Sequence, residues 1–193
     1  MTHPSLLPIL LSNRGQRAEL DFYETPLRAT NALLGILGQE LPKVIWEPCV
    51  GAGAIAKPLL ERGVSVIGGD IKDYGFHEVE LVDVLAIKEK RADVVITNPP
   101  YRLAAKIIRH LLKLDVHEIW MPLRLNFLEG KTRHDLFADG RFAGVHVFVS
   151  RLDFNPTTPV DKSGGMMTFA WFHWSRVNTD KPTLSFIDDL RKT

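Results

Sequence analysis

Apolar residues fall along this chain in short runs closed by turn-forming or acidic positions. Lys43–Trp46, Val64–Gly69, a short piece within Glu80–Leu85, Asp93–Thr97 and Glu118–Leu123 each read as a strand. They are too short for helices and rich in Val and Ile. Between them lie stretches of helical period. Thr25-Pro26 reads as a cap and first-turn proline opening a helix over 27–37. Residues 54–62 read as a helix stopped by Gly63, and 103–114 carry apolar residues at 103, 107, 111 and 114. A short helix is expected over 131–137. The last apolar stretches, 144–154 and 164–174, are long and β-rich and read as a terminal antiparallel hairpin.

Strand alternating with helix predicts an α/β fold, with a mainly parallel seven-stranded sheet covered on both faces and the hairpin at its end. The expected division is an extension at 1–19, one domain at 20–176 and a tail at 177–193. In such sheets ligands bind beyond the carboxyl ends of the strands. Gly51, Gly53, Asp70, Asp83 and Asn98 all fall just after a predicted strand, so five features share one rim.

Composition changes little. The 193 residues are 45% hydrophobic and 24% charged, as in ordinary globular domains. One cysteine excludes an internal disulfide and a multi-cysteine zinc site. The seven histidines show no pair at metal-ligand spacing, so no metal is expected. The start has no basic leader and no run long enough for a membrane span, giving a cytoplasmic expectation with no membrane partner. Net charge is −3 over residues 1–100 and +4 over 101–193, a lean toward a polyanion in the second half.

Two stretches carry chemistry. "EPCVGAGAIA" (47–56) contains G-x-G-x-x-A, with Asp70 at the end of the next strand. The glycines permit a tight turn and close approach of a ligand, and the carboxylate suits ribose hydroxyls. By itself this fits a nicotinamide dinucleotide as well as S-adenosylmethionine. "NPPY" (98–101) decides between them. Two prolines end the strand and hold the residues before them extended. The Asn98 side-chain oxygen and the Pro99 carbonyl can then accept both hydrogens of an exocyclic amine. Its lone pair localises as a result, and Tyr101 can stack on the ring that bears it. Hydride transfer needs no such ledge.

These motifs resemble those of S-adenosylmethionine-dependent N6-adenine DNA methyltransferases. "DFYETP" (21–26) resembles the cofactor motif that precedes them in the gamma arrangement, and the style is similar to compact phage and prophage members. The resemblance implies a Rossmann-like methyltransferase fold, S-adenosyl-L-methionine as cofactor and DNA as partner. It implies cofactor contacts at Tyr23, Thr25, Pro26, Glu47, Pro48, Gly51, Gly53, Asp70, Ile71, Asp83, Val84 and Asn98. Asn98, Pro99, Pro100 and Tyr101 would form the catalytic ledge. Phe154 stands where the family places a second ring against the flipped base, and equally where a core phenylalanine would stand. Arg124, Asn126, Lys131 and Arg133 follow the fifth strand as candidate nucleic-acid contacts, a solvated face being the alternative. Residues 124–143 leave little room for a base-reading element, so short or relaxed sequence choice is expected, and a homodimer could supply further surface. Alternatives are adenine in RNA, a protein glutamine amide, and a catalytically idle binding module.

Overall fold

The computed structural model describes residues 23–152, 154, 167–177 and 181–188. The expected extension at 1–19 and the start of the last predicted strand lie outside them. Eight strands form one sheet: β1 Val44–Glu47, β2 Ser65–Asp70, β3 Val79–Leu81, β4 Val94–Ile96, β5 Glu118–Arg124, β6 Phe142–Phe148, β7 Phe169–Ser175 and β8 Thr183–Ile187. Among the described residues four α-helices accompany them: α1 Leu27–Leu37, α2 Ala56–Leu60, α3 Ala104–Lys113 and α4 His134–Ala138. The strand order is β3-β2-β1-β4-β5-β7-β6-β8. All neighbours pair in parallel except those of β7, which runs antiparallel to β5 and β6.

The parallel sheet and its antiparallel close agree with the sequence reading. The strand count does not. β8 lies in residues 177–193, read above as a tail, and pairs in parallel with β6. Its five residues alternate without a buried apolar run, because it sits at the sheet edge and only Ser185 and Ile187 are half-buried. The predicted hairpin strands do pair antiparallel with each other, and it is the second of them, β7, that lies against β5.

Apolar residues fill both faces. On one, α3 buries Ala104, Ile107, Ile108, Leu111 and Leu112, a helical stripe over Ile119, Met121 and Phe172. The stripe starts one residue later than its sequence period suggested. Leu103 caps the helix and is 42% exposed at the rim. On the other face Leu33 and Leu34 of α1 and Leu59 beyond β1 meet Ile45, Ile96, Trp120 and Trp171. Two of the buried indoles are each tied to a helix. Trp171 Nε1 donates to the Ala29 carbonyl (2.9 Å) and Trp174 Nε1 to that of Leu136 (3.0 Å). A buried indole N–H with no acceptor would cost about 1–3 kcal/mol, so these bonds help select where α1 and α4 dock.

Helix α1 has the expected span, but its cap is Pro26 rather than Thr25. Pro26 has extended ψ (137°) and caps the helix, its carbonyl accepting from Ala29 N–H at 2.8 Å. Thr25 is thereby turned inward and buried.

Candidate active site

At the carboxyl ends of β1 to β4 the rim opens into a cleft, where ligands of such sheets bind. Tyr23, Thr25, Glu47, Pro48, Gly51, Asp70, Ile71, Asp83, Val84, Asn98 and Pro100 line it, so most of the expected residues meet there. Pro26, Gly53, Pro99 and Tyr101 do not line it.

The glycine loop is built around Asp70. Gly51 stands at φ +53° and donates its N–H to Asp70 Oδ2 at 2.9 Å, while Lys72 N–H reaches Oδ1 at 3.3 Å. Burial raises the Asp70 carboxyl above its ordinary range, and these N–H groups partly offset the rise. Each oxygen keeps lone-pair capacity for a further donor. Val50 N–H to the Gly69 carbonyl (2.9 Å) locks the loop onto β2.

Gly53 serves another purpose than the one expected. Its φ is +82°, and a Cβ there would fall 2.8 Å from Cε2 of Phe76 and closer still to Cδ2. A Cβ on Gly68 of β2 would fall 3.0 Å from Cε1 of the same ring. The two glycines are the floor on which Phe76 sits, so Gly53 makes room for a side chain rather than for a ligand. Phe76 thereby anchors the loop after β2, which carries Ile71 and Tyr74 into the cleft. Neither Phe76 nor Tyr74 was singled out from the sequence. The Gly-Gly pair at 68–69, where a buried strand would take Val or Ile, was the signal for Phe76.

Two acidic side chains flank Asp70. Glu47 ends β1, is 1% exposed, and has no hydrogen-bond partner at Oε2. Burial pushes its carboxyl well above the usual range. The Ala56 N–H opposes that rise, and neighbouring Asp70 adds to it. Asp83 accepts from Leu85 N–H at 2.9 Å and so caps a short 3₁₀ turn. Burial likewise raises the Cys49 thiol, removing it from nucleophilic chemistry.

The ledge follows β4. Thr97 is fully buried; its hydroxyl accepts from Cys49 N–H at 3.2 Å and ties the ledge to the glycine loop. Asn98 Nδ2 donates to the Tyr23 carbonyl at 2.8 Å. With the amide nitrogen committed, Oδ1 is the side-chain atom left to accept. Pro99 is buried behind Asn98, and Pro100 faces the cleft. Tyr101 stacks on Tyr23, with centroids 5.9 Å apart and planes 19° from parallel.

On the other side of Tyr101 a polar hollow is lined by Leu123, Arg124, Asn126, Phe127, Glu129 and Arg133. The Arg124 guanidinium carbon lies 4.9 Å from the Tyr101 ring centroid, and its Nε is buried without a hydrogen-bond partner. Arg133 is committed otherwise. It donates to the carbonyls of Phe127 (2.9 Å), Asn126 (3.3 Å) and Glu129, closing the 126–133 loop over Phe127. It therefore does not stand free for phosphate, contrary to the sequence expectation. Asn126 and Lys131 are exposed on the same loop. Phe154 is 6% exposed and packs on Phe169, centroids 4.1 Å apart. Of its two readings the structure supports the core phenylalanine. Among the described residues no group of His, Cys, Asp and Glu could hold a metal ion, and no helix is long and apolar enough to cross a membrane.

No protein-family profile matches the sequence, and no curated protein matches it. Solved structures do. A chain assigned as the modification subunit of a type I restriction enzyme from Vibrio vulnificus superposes with a TM-score of 0.58 at 11% identity, over 97% of this chain and 53% of that one. The present chain thus spans about half of that protein. DrdV in its complex with DNA matches with a TM-score of 0.59 at 12% identity, over 91% of this chain and 28% of that one. Magnesium protoporphyrin IX methyltransferase from Synechocystis, solved with bound S-adenosylmethionine, matches with a TM-score of 0.52 at 15% identity, over 78% and 79%. The chain has the Rossmann-like fold of S-adenosylmethionine-dependent methyltransferases.

Proposed function

We propose that this protein transfers a methyl group from S-adenosylmethionine to the N6 amine of adenine in DNA, within a short or relaxed sequence context. One observation carries the reading: Asn98 Nδ2 is held by the Tyr23 carbonyl, so Oδ1 is presented as an acceptor at the mouth of the cleft. That pairing joins "FYETP" to "NPPY" across 75 residues, and neither motif accounts for it alone.

The cleft suits the cofactor's chemistry. Asp70 and Asp83 offer acceptors for ribose hydroxyls and an adenine amine. Ile71, 62% exposed at the rim, offers an apolar face to a ring. The buried, unpartnered Glu47 Oε2 offers an acceptor to an ammonium group. Bound there, S-adenosylmethionine supplies an electrophilic methyl group on a sulfonium. The chain's part is to accept both amine hydrogens of the target, at Asn98 Oδ1 and the Pro99 carbonyl. This leaves the nitrogen lone pair free to attack in line, and the displaced proton then goes to solvent. Preorganised acceptors of this kind contribute about 10²–10³ in rate.

A nucleic acid is supported by the hollow beside Tyr101, where Arg124 is positioned for a phosphate or base edge of an extruded nucleotide. DNA is supported by the likeness to DrdV in its DNA complex, while the likeness to an RNA methyltransferase from Pyrococcus horikoshii makes RNA the rival substrate. The test is transfer of labelled methyl from S-adenosylmethionine to duplex DNA, single-stranded DNA, RNA and protein in parallel, with Asn98→Ala as control. Label in N6-methyladenine of DNA, lost in the control, is expected. Label only in RNA or protein, or label undiminished by the substitution, would overturn the reading.

A further inference from the structure

β8 ends the sheet, and among the described residues no strand pairs with its outer edge. Val149 N–H donates to the Ile187 carbonyl at 3.1 Å. The peptide groups of Ile187, and by alternation those of Ser185 and Thr183, therefore face β6. Those of Leu184 and Phe186 face outward. The side chains of the same two residues are 64% and 67% exposed. Protein edges are usually blunted by a charge, a proline or a bulge within the strand. Here Lys181 and Pro182 precede the strand and Asp188 follows it, and no such residue interrupts it.

We propose that β8 pairs antiparallel with β8 of a second copy, across a two-fold axis at Ser185. The strand is complementary to itself in this register. Leu184 meets Phe186 of the partner subunit as a hydrogen-bonded pair, and Phe186 meets the partner's Leu184, so two apolar pairs form on one face and four outward peptide groups per strand edge are satisfied. Shifting the axis to Leu184 sets Phe186 against Pro182, which has no N–H. Shifting it to Phe186 sets Leu184 against the carboxylate of Asp188. The ends agree with the antiparallel sense, because the Lys181 end of one strand then lies beside the Asp188 end of the other. A parallel arrangement would set like charges together. Since β8 runs parallel to the strands that carry the cleft, the pairing turns the second cleft to the opposite edge of the joined sheet. The dimer therefore adds no surface to the partner's site.

The experiment is sedimentation velocity on the full chain and three variants, with circular dichroism as the check on folding. Leu184→Pro removes an outward N–H without touching the β6 ladder, and Phe186→Asp puts a charge in the apolar pair. The wild type should sediment at twice the chain mass. Both variants should raise the dissociation constant about tenfold or more at unchanged secondary structure. Ser185→Cys should crosslink to its counterpart on mild oxidation, which the wild type, with only Cys49, should not do. A wild type that stays monomeric at all concentrations would overturn the proposal. So would a dimer undisturbed by both edge variants.

Discussion

Replacing Gly53 by alanine tests what the glycine loop is for. In this structure the added Cβ meets Phe76 Cε2 at 2.8 Å, and the backbone at φ +82° already disfavours any side chain. The left-handed conformation costs about 1–2 kcal/mol. Overpacking against a ring held on two glycines costs a further ~1–3 kcal/mol. The sum, about 2–5 kcal/mol, corresponds to a fall of roughly 5–15 °C in Tm for a chain of this size. The two parts separate in a double-mutant cycle. In a Phe76→Ala background the steric part vanishes and only the backbone part remains, so Gly53→Ala should cost about 1–2 kcal/mol there. Urea denaturation of the four proteins measures the cycle, and calorimetry with S-adenosylmethionine follows the Ile71–Tyr74 loop. Phe76→Ala alone should weaken cofactor binding, since it frees that loop. An equal cost for Gly53→Ala in both backgrounds would refute the assignment of Gly53 to Phe76.

Asn98→Ala should lower kcat about 10²-fold or more in a methyl-transfer assay. It should also weaken S-adenosylmethionine by a few-fold, because the Tyr23 carbonyl loses its donor; activity near wild type would sink the ledge. Glu47→Gln should alter the pH dependence of stability. The native carboxyl titrates above its ordinary value of 4.5, so its contribution is complete below pH 4.5 and is lost as pH rises through the raised native value. From pH 5 to pH 8 the urea midpoint of the wild type should therefore fall relative to that of the glutamine variant; parallel profiles would contradict this. Arg124→Ala should raise KM for DNA and reduce the salt slope of binding by about 1 without changing Tm. Arg133→Ala should instead lower Tm, since its guanidinium closes the 126–133 loop.

The rim was legible because its residues are defined by short-range chemistry. A strand that runs into two prolines, a glycine turn after an apolar run and an aspartate at a strand end each announce themselves within a few positions. Gly51, Asp70, Asp83 and Asn98 duly share the cleft. What escaped depends on contacts far apart in sequence. Arg133 looked like an exposed cation until three carbonyls of its own loop were found around it. Phe154 could only be assigned once Phe169 was seen beside it. Gly53 bore the spacing of a ligand loop, yet Phe76 claims the space. β8 went unread because an edge strand need bury neither face fully, so its alternation is weak where a central strand's is strong.

The bond from Asn98 to the Tyr23 carbonyl makes two recognition events thermodynamically one. Under the proposed function, Tyr23 borders the space for the methyl donor, and Asn98 aims at the methyl acceptor. A ligand that fixes the position of Tyr23 narrows the directions open to the amide, and a ligand that engages the amide steadies Tyr23. Linkage requires the two effects to be equal, so whatever factor the donor adds to the affinity for the acceptor, the acceptor returns to the donor. On that reading the ledge is best aimed at an amine when a methyl group is there to be given.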